Sequence, residues 1–296
     1  MYLSDIEYDY PLFRPPSEAE SLILQVTHGC SWNKCAFCEM YTSKQFRIKK
    51  HEQIIREIEI LSKEYTLVNR VFLADGDAMV LKTSKLLAIL KALQNSFPNL
   101  RRVSTYAKPK DLLNKSLDEL IELKDAGLSL IYTGLETGDN ELLKLINKGE
   151  SYQSSVDGMI KCKKSGIKSS VMIINGLGGK KLSEQHAINS AKLVNQIQPD
   201  YLSTLVLSFP YELAYFKKRI DFEFTPLSTI ELIEELGVFI SQTNLESTVF
   251  RSDHASNYLV LKGILGRDRE LLVKKIHHVI QNPQSATLRE EWQRGL

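Results

Sequence analysis

Three cysteines fall within nine residues, in the run Thr27-His28-Gly29-Cys30-Ser31-Trp32-Asn33-Lys34-Cys35-Ala36-Phe37-Cys38-Glu39-Met40-Tyr41. Their C-x4-C-x2-C spacing lets the thiolates converge on one centre only if the loop curls around it. Gly29, which has no side chain, and Asn33, which tolerates left-handed backbone, make that curling easy. Thiolates are soft ligands, suited to zinc or to iron–sulfur. A structural zinc site needs a fourth protein ligand, for which His28 and the distant His254 are the candidates. A [4Fe–4S] cluster on three cysteines leaves one iron open for another ligand. Cys30, Cys35 and Cys38 are therefore candidate metal ligands, with iron–sulfur favoured over a zinc-stabilised scaffold.

Such a loop must be carried by something rigid. Short apolar runs predict strands over Ser21–Val26, Arg70–Ala74, Arg101–Tyr106, Ser129–Thr133, Ser169–Ile174 and Tyr201–Leu207. Between them, helical spacing predicts His51–Lys63, Thr83–Asn95, Ser116–Asp125, Asn140–Ile146, Ser151–Ser165 and Ser183–Gln196. Thr83-Ser84, Asp139 and Ser183 are candidate N-caps. Strand followed by helix, six times over, implies parallel pairing with right-handed crossovers. Runs such as Val171-Met172-Ile173-Ile174 suit strands covered on both faces. The expected class is α/β: a partial (β/α)6 TIM-type barrel with a C-terminal, mainly helical extension. The cysteine loop follows the first strand, which puts it on the barrel's C-terminal face, where active sites are built.

The expected organisation is an N-terminal arm over residues 1–20, extended because of Pro11, Pro15 and Pro16, a barrel core over 21–210, and an extension over 211–296 that closes the barrel. In that extension Thr229–Thr243 and Arg269–Gln281 read as helices and Glu246–Arg251 as a seventh, edge strand.

A hydrophobic content of 43%, with 25% charged residues and a net charge of +2, is that of an ordinary globular protein. It gives no field for nucleic acid or an anionic membrane. The groups Lys161, Lys163, Lys164 and Lys217, Lys218, Arg219 read as solvated surface. With no long apolar run and no secretory signal after Met1, the expected setting is a reducing cytoplasm. The fourth cysteine, Cys162, is expected on a helix surface or half-buried.

The cysteine run resembles the signature of the radical S-adenosylmethionine superfamily, C-x3-C-x2-C with an aromatic or hydrophobic residue before the last cysteine, here Phe37. It has one additional residue between the first two cysteines. The resemblance covers roughly residues 20–210 and is nearest the branch of oxygen-independent coproporphyrinogen dehydrogenases and tRNA-modifying radical enzymes of the Elongator type. Leu73-Ala74-Asp75-Gly76-Asp77-Ala78 stands where the family has a turn binding the methionine amino group, which implies roles for Gly76 and Asp77. Ile131-Tyr132-Thr133-Gly134-Leu135-Glu136 is similar to the fourth strand of that branch, implying that Glu136 binds S-adenosylmethionine and that Lys148 approaches its carboxylate. Ile174-Asn175-Gly176-Leu177-Gly178-Gly179 is similar to the fifth-strand turn, where backbone and Asn175 approach adenine. Ser104, near the end of the third strand, is a further candidate contact.

The resemblance implies a [4Fe–4S] cluster and S-adenosylmethionine as cofactors, with reductive cleavage to a 5′-deoxyadenosyl radical that abstracts hydrogen from a substrate. It also implies an electron donor such as flavodoxin or ferredoxin. The alternative is a non-catalytic haem- or cluster-binding chaperone on the same fold. Tyr41, just past the cysteines, and His254, in the polar run Phe250-Arg251-Ser252-Asp253-His254-Ala255-Ser256-Asn257-Tyr258, are candidate catalytic residues facing substrate.

Overall fold

The structure, a computed structural model, describes residues 6–285 and 287–294; the first five residues of the expected arm, and positions 286, 295 and 296 of the extension, lie outside it. The chain forms two compact units. One comprises residues 6–33, 38–133 and 157–169, and the other residues 34–37, 134–156 and those from 170 onward.

The first unit begins with the arm, which is extended apart from a 3-10 turn at Pro16–Glu18. It lies along β1 (Leu22–Gln25), where the Tyr8 hydroxyl donates to the Ile23 carbonyl at 2.8 Å. A small antiparallel ribbon of β2 (Thr27–His28) and β3 (Arg47–Ile48) brackets part of the cysteine loop. Then follow α1 (His51–Glu64), β4 (Arg70–Ala74), α2 (Thr83–Ser96), β5 (Arg102–Tyr106), α3 (Pro109–Leu113), α4 (Leu117–Asp125) and β6 (Leu128–Glu136). Strands β1, β4, β5 and β6 pair in that order and in parallel, with Leu22 opposite Val71 and Ser104 opposite Leu130. The reason is visible in β4, whose Val71, Phe72, Leu73 and Ala74 are wholly buried, as a strand covered on both faces requires. Helix α1 buries Ile54, Ile58 and Leu61, the face its spacing predicts. Ser116 caps α4 in a reciprocal pair with Glu119.

Helix α5 (Asn140–Leu145) opens the helical part of the second unit, α6 (Tyr152–Ser165) has residues in both units, and β7 (Lys168–Asn175) follows. The second unit continues with α7 (Gly179–Ile197), β8 (Tyr201–Val206), α8 (Glu212–Lys218), α9 (Thr229–Ser241), β9 (Val249–Ser252), β10 (Leu261–Ile264) and α10 (Leu265–Gln281). Strands β7, β8 and β9 are parallel, with Ser170 opposite Tyr201 and Tyr201 opposite Val249.

Several expectations are corrected. The seventh strand is not an edge: β10 pairs antiparallel on the outer side of β9, with Leu261 opposite Ser252. Ser183 does not cap α7, which begins at Gly179, because the glycine turn itself supplies the first helical residues. Thr83 lies inside α2 rather than capping it, whereas Asp139 does cap α5, accepting from the Leu142 N–H at 2.8 Å. Cys162 is fully buried, not on the surface, with its thiol 3.3 Å from the Ile167 carbonyl. Neither α3 nor α8 was foreseen, since each is under two or so turns long and has too few positions for a periodic signal.

Candidate active site

In the first unit the site is built around the turn after β4. Cys30 and Cys38 form no disulfide and are partly exposed. The loop that carries them takes the left-handed conformations expected of it, at φ +69° for Gly29 and +48° for Asn33. The Asn33 side-chain amide then donates to the Tyr41 carbonyl at 2.8 Å, drawing the loop closed. A β-carbon on Gly76 would lie 2.7 Å from Tyr41 Cε2 and 3.2 Å from Cys30 Cβ, so only glycine lets this backbone approach the loop.

Two aspartates flank that glycine, both without solvent exposure. Asp75 Oδ2 accepts from Lys44 Nζ at 2.8 Å, the Gly29 N–H at 3.1 Å and Gln25 Nε2 at 3.4 Å. Asp77 Oδ2 accepts from the Ser31 hydroxyl and pairs with Lys108 Nζ at 3.0 Å. Lys108 also reaches Ser31 Oγ at 2.5 Å and Asp111 at 3.5 Å. Burial works against the Lys108 ammonium, but the charges of Asp77 and Asp111 outweigh it and raise its pKa. Burial, with the charge of Asp77 next, pushes the Asp111 carboxyl up to about 7. Asp75 Oδ1, Asp77 Oδ1 and the Tyr41 hydroxyl are buried and have no hydrogen-bond partner. Burial, then the Asp75 charge, raises the Tyr41 phenol far above its ordinary value. Ser104 is buried within β5, its hydroxyl 3.5 Å from the Val71 carbonyl.

In the second unit, Glu136 sits at the end of β6 with φ +67° and pairs with Lys148 Nζ at 2.8 Å. The same ammonium lies 5.6 Å from the centroid of the Phe37 ring. The residues before Phe37 are held from two sides: the Ala36 N–H donates to the Ile146 carbonyl at 2.8 Å, and Arg219 donates to the Cys35 carbonyl at 2.8 Å. The Asn175 side chain is turned to α9, donating to the Leu232 carbonyl at 3.3 Å. His254 is tied to its own loop: Nδ1 lies 2.9 Å from Ser256 Oγ, and Arg289 donates to its carbonyl. Burial and then the Arg289 charge lower the His254 pKa, so the imidazole is neutral at pH 7.

The structure thus brings Cys30, Tyr41, Gly76 and Asp77 together in one unit, and Phe37, Glu136 and Lys148 in the other. Sequence reasoning missed Lys44, Lys108, Asp111, His186, Glu235 and Arg219. Lys108, placed directly after a strand that ends at the functional rim, carried a usable signal. Glu235, a lone carboxylate among Leu232, Ile233, Leu236 and Phe239, carried another. The remaining four partner groups distant in sequence.

The donor chemistry fits a cluster and a sulfonium amino acid. Three cysteine sulfurs outside any disulfide are soft ligands suited to iron. Asp75 Oδ1 and Asp77 Oδ1, buried with no hydrogen bond of their own, are acceptors that would suit an ammonium group. Among the described residues no three His, Cys, Asp or Glu side chains already stand as a metal-holding group.

A family model described as the Radical SAM superfamily matches residues 24–194, more than half of the chain, and the chain belongs to that superfamily. Among curated proteins it is 22% identical over 199 residues to the heme chaperone HemW of Buchnera aphidicola subsp. Acyrthosiphon pisum, covering 64% of this chain and 51% of that one. It is 28% identical over 262 residues to an uncharacterized protein of Methanocaldococcus jannaschii, covering 82% and 46%. The solved coproporphyrinogen III oxidase HemN of Escherichia coli, titled a Radical SAM enzyme, superposes with a TM-score of 0.57 at 18% identity, over 75% of this chain and 52% of that one. The Elp3 structure from Methanocaldococcus infernus gives 0.52 at 18% identity, over 87% and 63%. These likenesses show the fold, an α/β one of the partial TIM-type barrel kind. The chain spans about half the length of the curated relatives it matches. No helix among the described residues is long and apolar enough to cross a membrane.

Proposed function

We propose that the chain is a radical S-adenosylmethionine enzyme whose Cys30, Cys35 and Cys38 hold a [4Fe–4S] cluster. The observation that carries this reading is the pair of buried, unpartnered oxygens on Asp75 and Asp77 beside Gly76, at a turn packed against Cys30. When bound, the cluster and S-adenosylmethionine supply a 5′-deoxyadenosyl radical for hydrogen abstraction from a substrate.

The chain's own residues bind and orient. Asp75 and Asp77 present acceptors to the methionine ammonium, and Gly76 lets the backbone close on the loop. Glu136 and Lys148, an ion pair only about a tenth exposed, present a carboxylate and an ammonium to the rest of the cofactor. Phe37 shields the cysteines from water, which tunes the potential of a cluster. Asn175 acts by shaping its turn, because its amide is engaged with Leu232. In this reading the protein works in the cytoplasm with a one-electron donor such as flavodoxin or ferredoxin. Tyr41 supports the Gly76 turn from behind, and His254 shapes the C-terminal loop.

A second reading, a haem-binding chaperone, is favoured by the likeness to HemW. Anaerobic reconstitution followed by dithionite and S-adenosylmethionine separates the two. Release of 5′-deoxyadenosine supports the enzyme; haem binding without that release supports the chaperone. Protein that takes up no iron, or Cys→Ala variants at 30, 35 and 38 that take up as much as the parent, would overturn both.

A further inference from the structure

We propose that His186 of α7 and Glu235 of α9 are positioning residues that lock the turn after β6 to the turn after β7. This role rests on reading those turns as the face that receives the nucleoside of S-adenosylmethionine.

His186 is buried between the two turns. Its Nε2 lies 3.0 Å from the Ile174 carbonyl, which can only accept, so that nitrogen carries the proton. Nδ1 then accepts from the Thr137 hydroxyl at 2.7 Å, directly after Glu136. One imidazole therefore spans the end of β6 and the end of β7. Ser190, one turn further along α7, accepts the Gly138 N–H at 2.9 Å and reinforces the same side.

Glu235 fastens the other side. Its Oε1 accepts the Gly176 N–H at 2.6 Å, and its Oε2 accepts the Ser183 hydroxyl at 2.6 Å. Gly176 stands at φ +81°, a conformation other residues rarely hold. The carboxylate is 3.8 Å from His186 Nε2, so the two side chains form one buried group. Along the same helix, the Leu232 carbonyl accepts from Asn175, and Glu231 pairs with Lys180 at 2.6 Å. Helix α9 thus grips residues 175–180 at three places, although it lies outside the matched family segment of residues 24–194. A satisfied buried network would need only to pair its own atoms. This one directs links from His186 to the ends of both strands and from Glu235 to Gly176, which is the arrangement that fixes their relative position.

The test uses the full chain and its Glu235→Ala, Glu235→Gln and Thr137→Val variants. Amide exchange over residues 176–179 is measured in cluster-free protein. Affinity for S-adenosylhomocysteine is measured by equilibrium dialysis, and iron per chain is measured after reconstitution. Glu235→Ala is expected to speed exchange of the turn and to weaken the probe about tenfold, the equivalent of one lost hydrogen bond to a charged group, with iron unchanged. Glu235→Gln, which can still accept from Gly176, is expected to stay within about threefold of the parent. Thr137→Val cuts the link to His186 and the one from the Asp139 N–H at constant shape, and is expected to weaken the probe even if the alanine variant does not fold. Parent-like exchange and affinity in Glu235→Ala and Thr137→Val would overturn the role alone. A parent chain that binds no probe would overturn the reading of the site together with this role.

Discussion

Replacing Lys44 by methionine isolates the charge balance that holds the cysteine loop. The Lys44 ammonium is nearly buried; it donates to Asp75 at 2.8 Å and to the Asp9 carbonyl, tying the loop's far end to the β4 turn and the arm. Methionine keeps the stem's packing but strips Asp75 of the cation 2.8 Å away. The carboxylate would be left with the Gly29 N–H at 3.1 Å and a weak amide at 3.4 Å. Breaking one side of a buried pair costs about 3–5 kcal/mol. Removing both charges, in Lys44→Met with Asp75→Asn, costs much less, because no uncompensated charge remains. Urea titrations of the cluster-free chain, run as a double-mutant cycle, should therefore give a coupling of about 2–3 kcal/mol. Gly29 directly precedes Cys30, so the single variant should also lose iron to a chelator faster than the double variant. Additive effects, or a cost for Lys44→Met below about 1 kcal/mol, would refute the argument that Asp75 is held by this lysine.

Two further outcomes follow from the same geometry. Gly138→Ala would put a β-carbon 2.1 Å from the Asn189 carbonyl and 2.9 Å from Leu193 Cβ, forcing the turn off α7; it should cost about 1–3 kcal/mol in urea unfolding, and a neutral result would show that the turn has slack. Asp111, raised from 3.8 to about 7 and facing Asp77, Lys108 and Lys115, keeps a proton in the folded chain that the unfolded chain has released. Its contribution is present at low pH and lost as pH rises through 7, so Asp111→Asn should flatten the fall in Tm of cluster-free protein between pH 5 and 8; an unchanged slope would refute the assignment.

Strand β4 was legible because Val71-Phe72-Leu73 is an apolar run buried on both faces. The cysteine loop was legible because its three cysteines are close in sequence. Other features depend on contacts that no local pattern encodes. Strand β10 is four residues, Leu-Lys-Gly-Ile, with no alternation of note, and it forms because β9 offers it an edge. Helix α7 begins ahead of Ser183 because the glycine turn supplies its first residues, and the Ser183 hydroxyl instead donates to Glu235, fifty-two residues on. Lys44 and Asp75 are 31 residues apart, and Ser31 and Lys108 are 77 apart, so neither pair could be read from spacing.

What sequence could not supply is the reason two carboxylates tolerate complete burial on either side of Gly76. Each gives its Oδ2 to a lysine, Lys44 for Asp75 and Lys108 for Asp77, so each buried carboxyl has a cationic partner. Each keeps Oδ1 unpaired. In the proposed reading, the lysines hold one oxygen of each aspartate and leave the other, buried and without a hydrogen bond, for an arriving ammonium. A turn that answered its own charges completely would have nothing left with which to hold an amino acid, whereas one with unmatched carboxylates would not stay buried. The turn lies between these limits, and its two lysines come from the cysteine loop and from just after β5, the strand next to β4 in the sheet.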